Sequence, residues 1–369
     1  MSKIPRELLI EAINKMAFYL CSNCRRDGKF VYIVHKNTDE FVDTYNVLRH
    51  AGAIYALTDF ANMSPTAMKD TLPVLARSVV WMRKKCSMKV EGYQGIVSNS
   101  KITGKNEKSQ VKLGANALAI VALTGYNKLK PGAVNLSYLK KLADFMCWMQ
   151  KEDGSFYSKF FINKGKADDW ASLYYPGEAA LAFITLHALI PDPNYIGSSI
   201  NALKFLATKR QMLLSHEIEA DHWALIATNK IIAHAFLTEY HRHLLYYHAK
   251  QIADSIIHGW KIILTQKRTT KIATRLEGLI AYLRFAEEFE EEFNIQTDEI
   301  FNTIEQGIAF LLNAYERRGT YVGGITRDFE PKEADSRSDE IRIDYVQHAL
   351  SALLNFYHIC NDKDYWNRV

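Results

Sequence analysis

The stretch DTYNVLRHAGAIYALTDF, from Asp43 to Phe60, decides the fold. Its start is polar (Tyr45, Asn46, Arg49, His50), and the remainder is small and apolar (Ala51, Gly52, Ala53, Ile54, Ala56, Leu57). A helix that is apolar all round is buried along its length, and one that is polar only at its start opens that start onto a cavity. Five later stretches repeat this design: 111–126, 174–189, 217–236, TTKIATRLEGLIAYLRFAE from Thr269, and IRIDYVQHALSALLNFYHI from Ile341.

Between them lie segments with apolar residues at helical spacing on one face only, such as Leu8, Leu9, Ala12, Ile13, Met16, Ala17 and Leu20. These amphipathic helices are expected over 6–21, 65–82, 135–150, 201–212, 241–264 and 298–315. The buried segments recur at intervals of roughly 45 to 70 residues, an internal periodicity that sets the architecture before any motif is read. One helical hairpin cannot bury its own apolar face. Six in a ring bury the small-residue helices inside and leave the amphipathic ones outside with a solvated face. The expected fold is therefore all-α, an (α/α)6 toroid of six helical hairpins forming one domain over residues 1–369, with short strand-like links at one end. An irregular bundle or a superhelical stack is the alternative.

Composition sets outer limits on function. Of 369 residues, 48% are hydrophobic and 24% charged, and 20 Tyr, 18 Phe and 6 Trp leave aromatics to line a cleft. The net charge of +5 comes from scattered basic residues, so nucleic acid is not expected as a partner. No apolar run reaches the length of about 18–20 residues that spans a bilayer. Glu7, Glu11 and Asn14 interrupt the N-terminal segment where a signal peptide needs an apolar core, so a cytoplasmic protein is expected. Cys21, Cys24, Cys86, Cys147 and Cys360 read as reduced thiols. The CxxC of Cys21 and Cys24 lacks a second Cys or His pair for zinc.

Aligning the inner helices by their small-apolar cores puts Arg49, Ala115, Glu178, Arg275 and Tyr345 on one layer. A turn either way adds Tyr45, His50, Asn116, Asp221, His222, Glu277, Asp344, Gln347 and His348. Such groups are costly to bury unless paired or solvated, so they predict a polar mouth at the inner-helix starts. The helix N-termini add partial positive charge there.

The loop Gln150-Lys151-Glu152-Asp153-Gly154-Ser155-Phe156 resembles the QxxDGSW motif of the terpenoid cyclase and protein prenyltransferase toroids, with Phe156 in place of Trp, and Asp27-Gly28-Lys29-Phe30 is a degenerate echo. In those families the motif ties an outer helix to the link beyond it. Their catalytic signatures are absent: no Asp, Cys and His set for zinc lies at inner-helix starts, and there is no DxDD. The remaining resemblance, at the level of fold and site composition, is to (α/α)6 sugar-active enzymes: six-hairpin glycosidases, uronic-acid lyases and sugar epimerases. It implies a saccharide substrate at one end of the ring, no cofactor and no metal. A cyclase-like or peptide-modifying toroid and a non-catalytic protein-binding toroid are the alternatives.

Hydrolysis needs one carboxylic acid and one carboxylate flanking the bond, about 5 to 9.5 Å apart. Glu178, Asp221, Glu277 and Asp344 are the candidates, and Glu178, following Tyr175-Pro176-Gly177, is preferred as acid or base. The other reading is that Glu178 caps its helix or pairs with Arg275. Asp221 either caps its helix or serves as the second carboxylate, His222 is a candidate general base, and Trp223 a wall for a sugar face. Tyr45, Arg49, His50, Asn116, Tyr175, Arg275, Asp344, Gln347 and His348 are candidate substrate-binding residues. Arg49 and Arg275 suit an acidic sugar. Elimination or epimerisation by His and Tyr is the other chemistry this set supports. The loops Asp168-Asp169-Trp170 and Asp335 to Asp339 overhang the same end, and the histidine run from His234 to His258 reads as a solvated outer helix.

Overall fold

The computed structural model describes residues 3–167, 170–290, 295–332 and 334–367. Among the described residues, six helices line the interior: α2 (Val47–Ala61), α4 (Leu113–Leu129), α6 (Tyr175–His187), α8 (His222–Ile231), α10 (Thr269–Ala286) and α12 (Ile343–Asp362). Six lie outside: α1 (Arg6–Ser22), α3 (Pro65–Lys85), α5 (Leu136–Met149), α7 (Pro193–Arg210), α9 (Glu239–Gln266) and α11 (Thr297–Ala314). Each inner helix packs on the next, and α12 packs on α2, so the ring closes. Fourteen of the seventeen residues of α4 are buried, among them Gly114, Ala115, Ala117, Ala119 and Ala122. Small side chains let six helix backbones approach one axis, and burial of Ile, Leu and Val between them supplies the driving force, roughly 25 cal/mol per Å² of apolar surface.

Among the described residues, seven short strands rim the end where the inner helices begin. Strand β1 (Ile33–His35) pairs antiparallel with β7 (Glu340–Arg342), stapling the first hairpin to the last. Strands β2 (Ser87–Val90), β3 (Tyr93–Ser98), β4 (Gln110–Lys112), β5 (Lys159–Phe161) and β6 (Gly165–Ala167) form one antiparallel sheet. β4 and β7 run straight into α4 and α12, which fixes where those helices start.

The loop after α5 acts as a tie. Gln150 donates to the carbonyls of Gly154 and Ser198, Asp153 accepts from the backbone and hydroxyl of Ser155, and Gln150 bridges to Phe156. Gly154 sits at φ +86° with its Cα facing the Asn201 carbonyl of α7, where a Cβ would come within 2.3 Å of the oxygen. Only glycine meets both demands. Gly28, at φ +95° against the Arg77 carbonyl of α3, repeats the device two hairpins earlier.

Three boundaries differ from expectation. α2 begins at Val47 because the Asn46 side chain accepts from Leu48 N and caps it. α7 begins at Pro193, eight residues before the expected start, because Asp192 caps it and proline fits its first turn. α8 stops at Ile231, and Thr238 caps α9 after the intervening turn, so the stretch 217–236 is one short helix with loops at both ends. Within α9, His248 is buried 3.4 Å from Arg210, so the histidine run is not wholly solvated.

Candidate functional site

The mouth is built from the first turns of five inner helices. At its floor His222 of α8, Glu277 of α10 and His348 of α12 meet, and all three are buried. The two imidazole rings lie 5.4 Å apart, nearly perpendicular. His348 Nδ1 is 2.7 Å from Glu277 Oε2. A carboxylate on Nδ1 keeps the proton there and leaves Nε2 as the basic nitrogen. Glu277 is itself held above its ordinary range by burial, with His348 pulling it back down.

His222 has the opposite character. Both its ring nitrogens are buried without a hydrogen-bond partner among the described residues. Burial, reinforced by His348, Arg49 and Arg275, holds its ionisation well below the usual imidazole range, so it is neutral. An unpartnered buried polar group costs about 1–3 kcal/mol, and in a concave site it is a candidate to bond a ligand or a water.

Glu178 stands beside them on α6. Gly114 of α4 makes room for it: a Cβ there would lie 2.0 Å from Glu178 Oε2 and 2.6 Å from the Tyr175 ring. Oε2 has no partner. Burial lifts the carboxyl to about 8 against Arg49, which lowers it, while Asp221 adds to the rise. At neutral pH Glu178 is therefore a protonated acid, a donor rather than a nucleophile. The pairing with Arg275 is not formed; Arg275 donates to the Lys271 carbonyl, and Tyr174 and Glu219 are the groups that favour its charge.

A stability prediction follows from the sign of that shift. Glu178 is protonated up to about 8 when folded and up to 4.5 in an exposed chain, so its contribution is full at low pH and is lost as pH rises toward 8. Glu178→Gln, neutral throughout, removes the loss. Its melting temperature relative to wild type is expected to climb steadily between pH 5 and pH 8. A constant difference would place the carboxyl in an ordinary environment.

Arg49 enters from α2, about one-third exposed, with its Nε 3.4 Å from Asp344 Oδ2. Asp344 is also gripped by Arg342. Burial pushes Asp344 up, but Arg49 and Arg342 outweigh it and hold it below the ordinary carboxylate range. Asp344 thus anchors Arg49. Gln347 lies 3.4 Å from His348 Nδ1, and Trp223 packs on His222 at 4.6 Å and faces His348 at 6.1 Å. Tyr175 lies half-buried beside Glu178, within reach of Arg49's charge.

Four candidates are turned away from this floor or used elsewhere. Tyr45 and His50 point outward to α3: His50 Nδ1 is 2.7 Å from the Tyr45 hydroxyl, and its Nε2 is 3.0 Å from the Ser78 carbonyl. Asn116 also faces outward, accepting from Ile96 N and donating to the Leu142 carbonyl. Asp221 caps α8 through Ala224 N, and its other oxygen takes both terminal nitrogens of the buried Arg210 at 3.1 Å. Asp168 and Asp169 lie outside the described residues. Asp335 and Asp339 pair within the rim, with Arg327 and His35.

Two aromatics were not among the expected binding residues. Tyr174, partly exposed, faces His222 at 6.1 Å, and Trp170, 45% exposed, stands edge-on to Tyr175 with the Lys159 ammonium over its ring at 4.2 Å. Both precede the helix start, beyond the reach of a helix alignment. The run of Tyr174 and Tyr175 before Pro176 was the available signal.

His222, Glu277 and His348 each offer a donor atom within 4.8 Å of the others, a set that could hold a metal ion. The charges of Arg49 and Arg275, which already disfavour protonation of His222, oppose a dication at the same place.

No protein-family model matches the sequence, and no curated protein matches it. The fold does have solved counterparts. A D-mannose isomerase superposes with a TM-score of 0.65 at 12% identity, covering 97% of this chain and all of that one. A family 76 mannosidase from Bacteroides thetaiotaomicron gives 0.66 at 9% identity over 97% of this chain and all of its own. A cellobiose 2-epimerase from Spirochaeta thermophila gives 0.65 at 12% identity over 96% of each. At these identities the likeness establishes the (α/α)6 toroid.

Proposed function

We propose that this protein is a carbohydrate-active enzyme that moves a proton at the carbon beside the carbonyl of an open-chain sugar, epimerising or isomerising it. The observation that carries this reading is the pair of buried imidazoles, His222 neutral and unpartnered, His348 oriented by Glu277. Removing such a proton needs a neutral base near pH 7 and a charge partner for the enediolate oxygen. His348 Nε2 and His222 supply the bases, Arg49 fixed by Asp344 supplies the charge, and protonated Glu178 donates to a sugar oxygen. The same fold carries a mannose isomerase, an epimerase and a mannosidase, which supports a saccharide substrate.

Hydrolysis draws on the same mouth but needs two free carboxyls. Asp221, Glu277 and Asp344 are each bound to Arg210, His348 or Arg49 and Arg342, leaving Glu178 alone. The test is proton NMR in D2O with a panel of reducing mono- and disaccharides. Loss of the C2 proton signal with growth of an epimer or ketose is expected. New reducing ends without C2 exchange would replace this reading with hydrolysis.

A further inference from the structure

At the far end of the ring, where the inner helices finish, a second cavity of about 420 Å³ opens to solvent. Its size falls among small-molecule sites of about 300–1,000 Å³. Its walls come from the last turns of α2, α8, α10 and α12, and Glu277 stands at its inner end. The Glu277 residue therefore forms part of the wall of this cavity and of the floor of the mouth.

The lining mixes signs without pairing them. Arg284 and Lys230 reach into the cavity, and among the described residues neither lies within ion-pair distance of a carboxylate. As cations in the last turns of α10 and α8 they complement the helix dipoles. Asp59 and Asp362, at the ends of α2 and α12, have the wrong sign for that role, so helix stability does not account for them. Asp59 is raised to about 6 by burial, although Lys230 and the Tyr55 hydroxyl favour its charge. Of the three amides in the lining, Asn62, Asn229 and Asn355, the first and last donate to the Thr58 and Ser351 carbonyls of their own helices, which leaves each side-chain oxygen to accept, and His358 and Tyr55 add further polar groups.

An anion placed here meets Asp59 and Asp362, and a cation meets Arg284 and Lys230. A hydroxyl donates to the first pair and accepts from the second. We propose that the far cavity is a second binding site, for a neutral polyhydroxylated molecule of monosaccharide size, separate from the mouth. It does not depend on the reaction assigned to the mouth.

The test uses D-mannose as probe, with glycine and inorganic phosphate as zwitterionic and anionic controls, read by calorimetry. Arg49→Ala with His222→Ala disables the mouth and leaves the Glu277–His348 pair at the far-cavity wall intact. This double variant is expected to keep a saturable D-mannose isotherm, and Ala281→Trp, which fills the far cavity from α10, to weaken it by about tenfold or more. Neither control ligand should bind. If Ala281→Trp fails to fold, Asn62→Ala with Asn355→Ala serves in its place. The proposal is overturned if the mouth-disabled protein binds no D-mannose, if filling the cavity leaves its isotherm unchanged, or if only glycine or phosphate binds. Absence of C2 exchange in the wild-type protein, with far-cavity binding retained, would count against the proposed reaction alone.

Discussion

His348→Asn and His222→Asn are each expected to lower C2 proton exchange by about 10²–10⁴-fold, the range over which a positioned general base acts. Their effects on stability should differ. Among the described residues His222 has no hydrogen-bond partner to strand, and asparagine puts one unpartnered polar group in place of another, so little change in stability is expected. Replacing His348 takes away the group bonded to Glu277 Oε2, a buried carboxylate oxygen, and a modest fall in melting temperature is expected. Asparagine softens it, since its amide can donate to the same oxygen. Glu277→Gln completes the set. The Gln carbonyl still accepts from Nδ1, so the tautomer survives and only the charge that stabilises a protonated His348 is lost. Its activity should fall less than that of His348→Asn. If His222→Asn were destabilising and fully active, the imidazole would be a packing group and the proton-transfer reading would fail.

The ring and its mouth were legible because they rest on periodicity. Runs such as GANALAIVAL in α4 are apolar all round, and no arrangement other than full burial accommodates six of them. The alignment put Arg49 and Glu178 on one layer with His222, Glu277 and His348 within a turn of it, Glu277 deepest because it is the ninth residue of α10. Level is not direction. At about 100° per residue, His50 follows Arg49 around the helix from the axis to the α3 face, where Trp81 packs on it at 4.7 Å, and Asn116 turns toward α5 in the same way. Apolar packing does not distinguish these azimuths when the inner helices are apolar on every side. The far cavity was not legible for a related reason. Asp59, Lys230, Arg284 and Asp362 are ordinary polar residues of helix ends, and only closure of the ring brings four such ends together.

Asp221→Ala is expected to be the most damaging change to stability, by about 3–5 kcal/mol, because it removes one partner of a buried ion pair and strands the other. Arg210 is nearly inaccessible, and Asp221 Oδ2 takes both its terminal nitrogens; beyond these, its contacts are His248, a cation's neighbour that offers no charge, and the Leu173 carbonyl. The lost cap of α8 accounts for roughly 1 kcal/mol of this. Asp221→Asn separates the two terms. It keeps a side-chain oxygen for Ala224 N and loses the charge facing Arg210, so it should be less destabilising than Ala by about the value of the cap. Denaturant unfolding of the two variants measures both. The folded fraction of Asp221→Asn should retain C2 exchange within an order of magnitude, since the carboxylate reaches Arg210 and its own helix rather than the floor where His222 and His348 meet. A stable Asp221→Asn protein without activity would return Asp221 to the chemistry, as the second carboxylate of a hydrolase acting with Glu178.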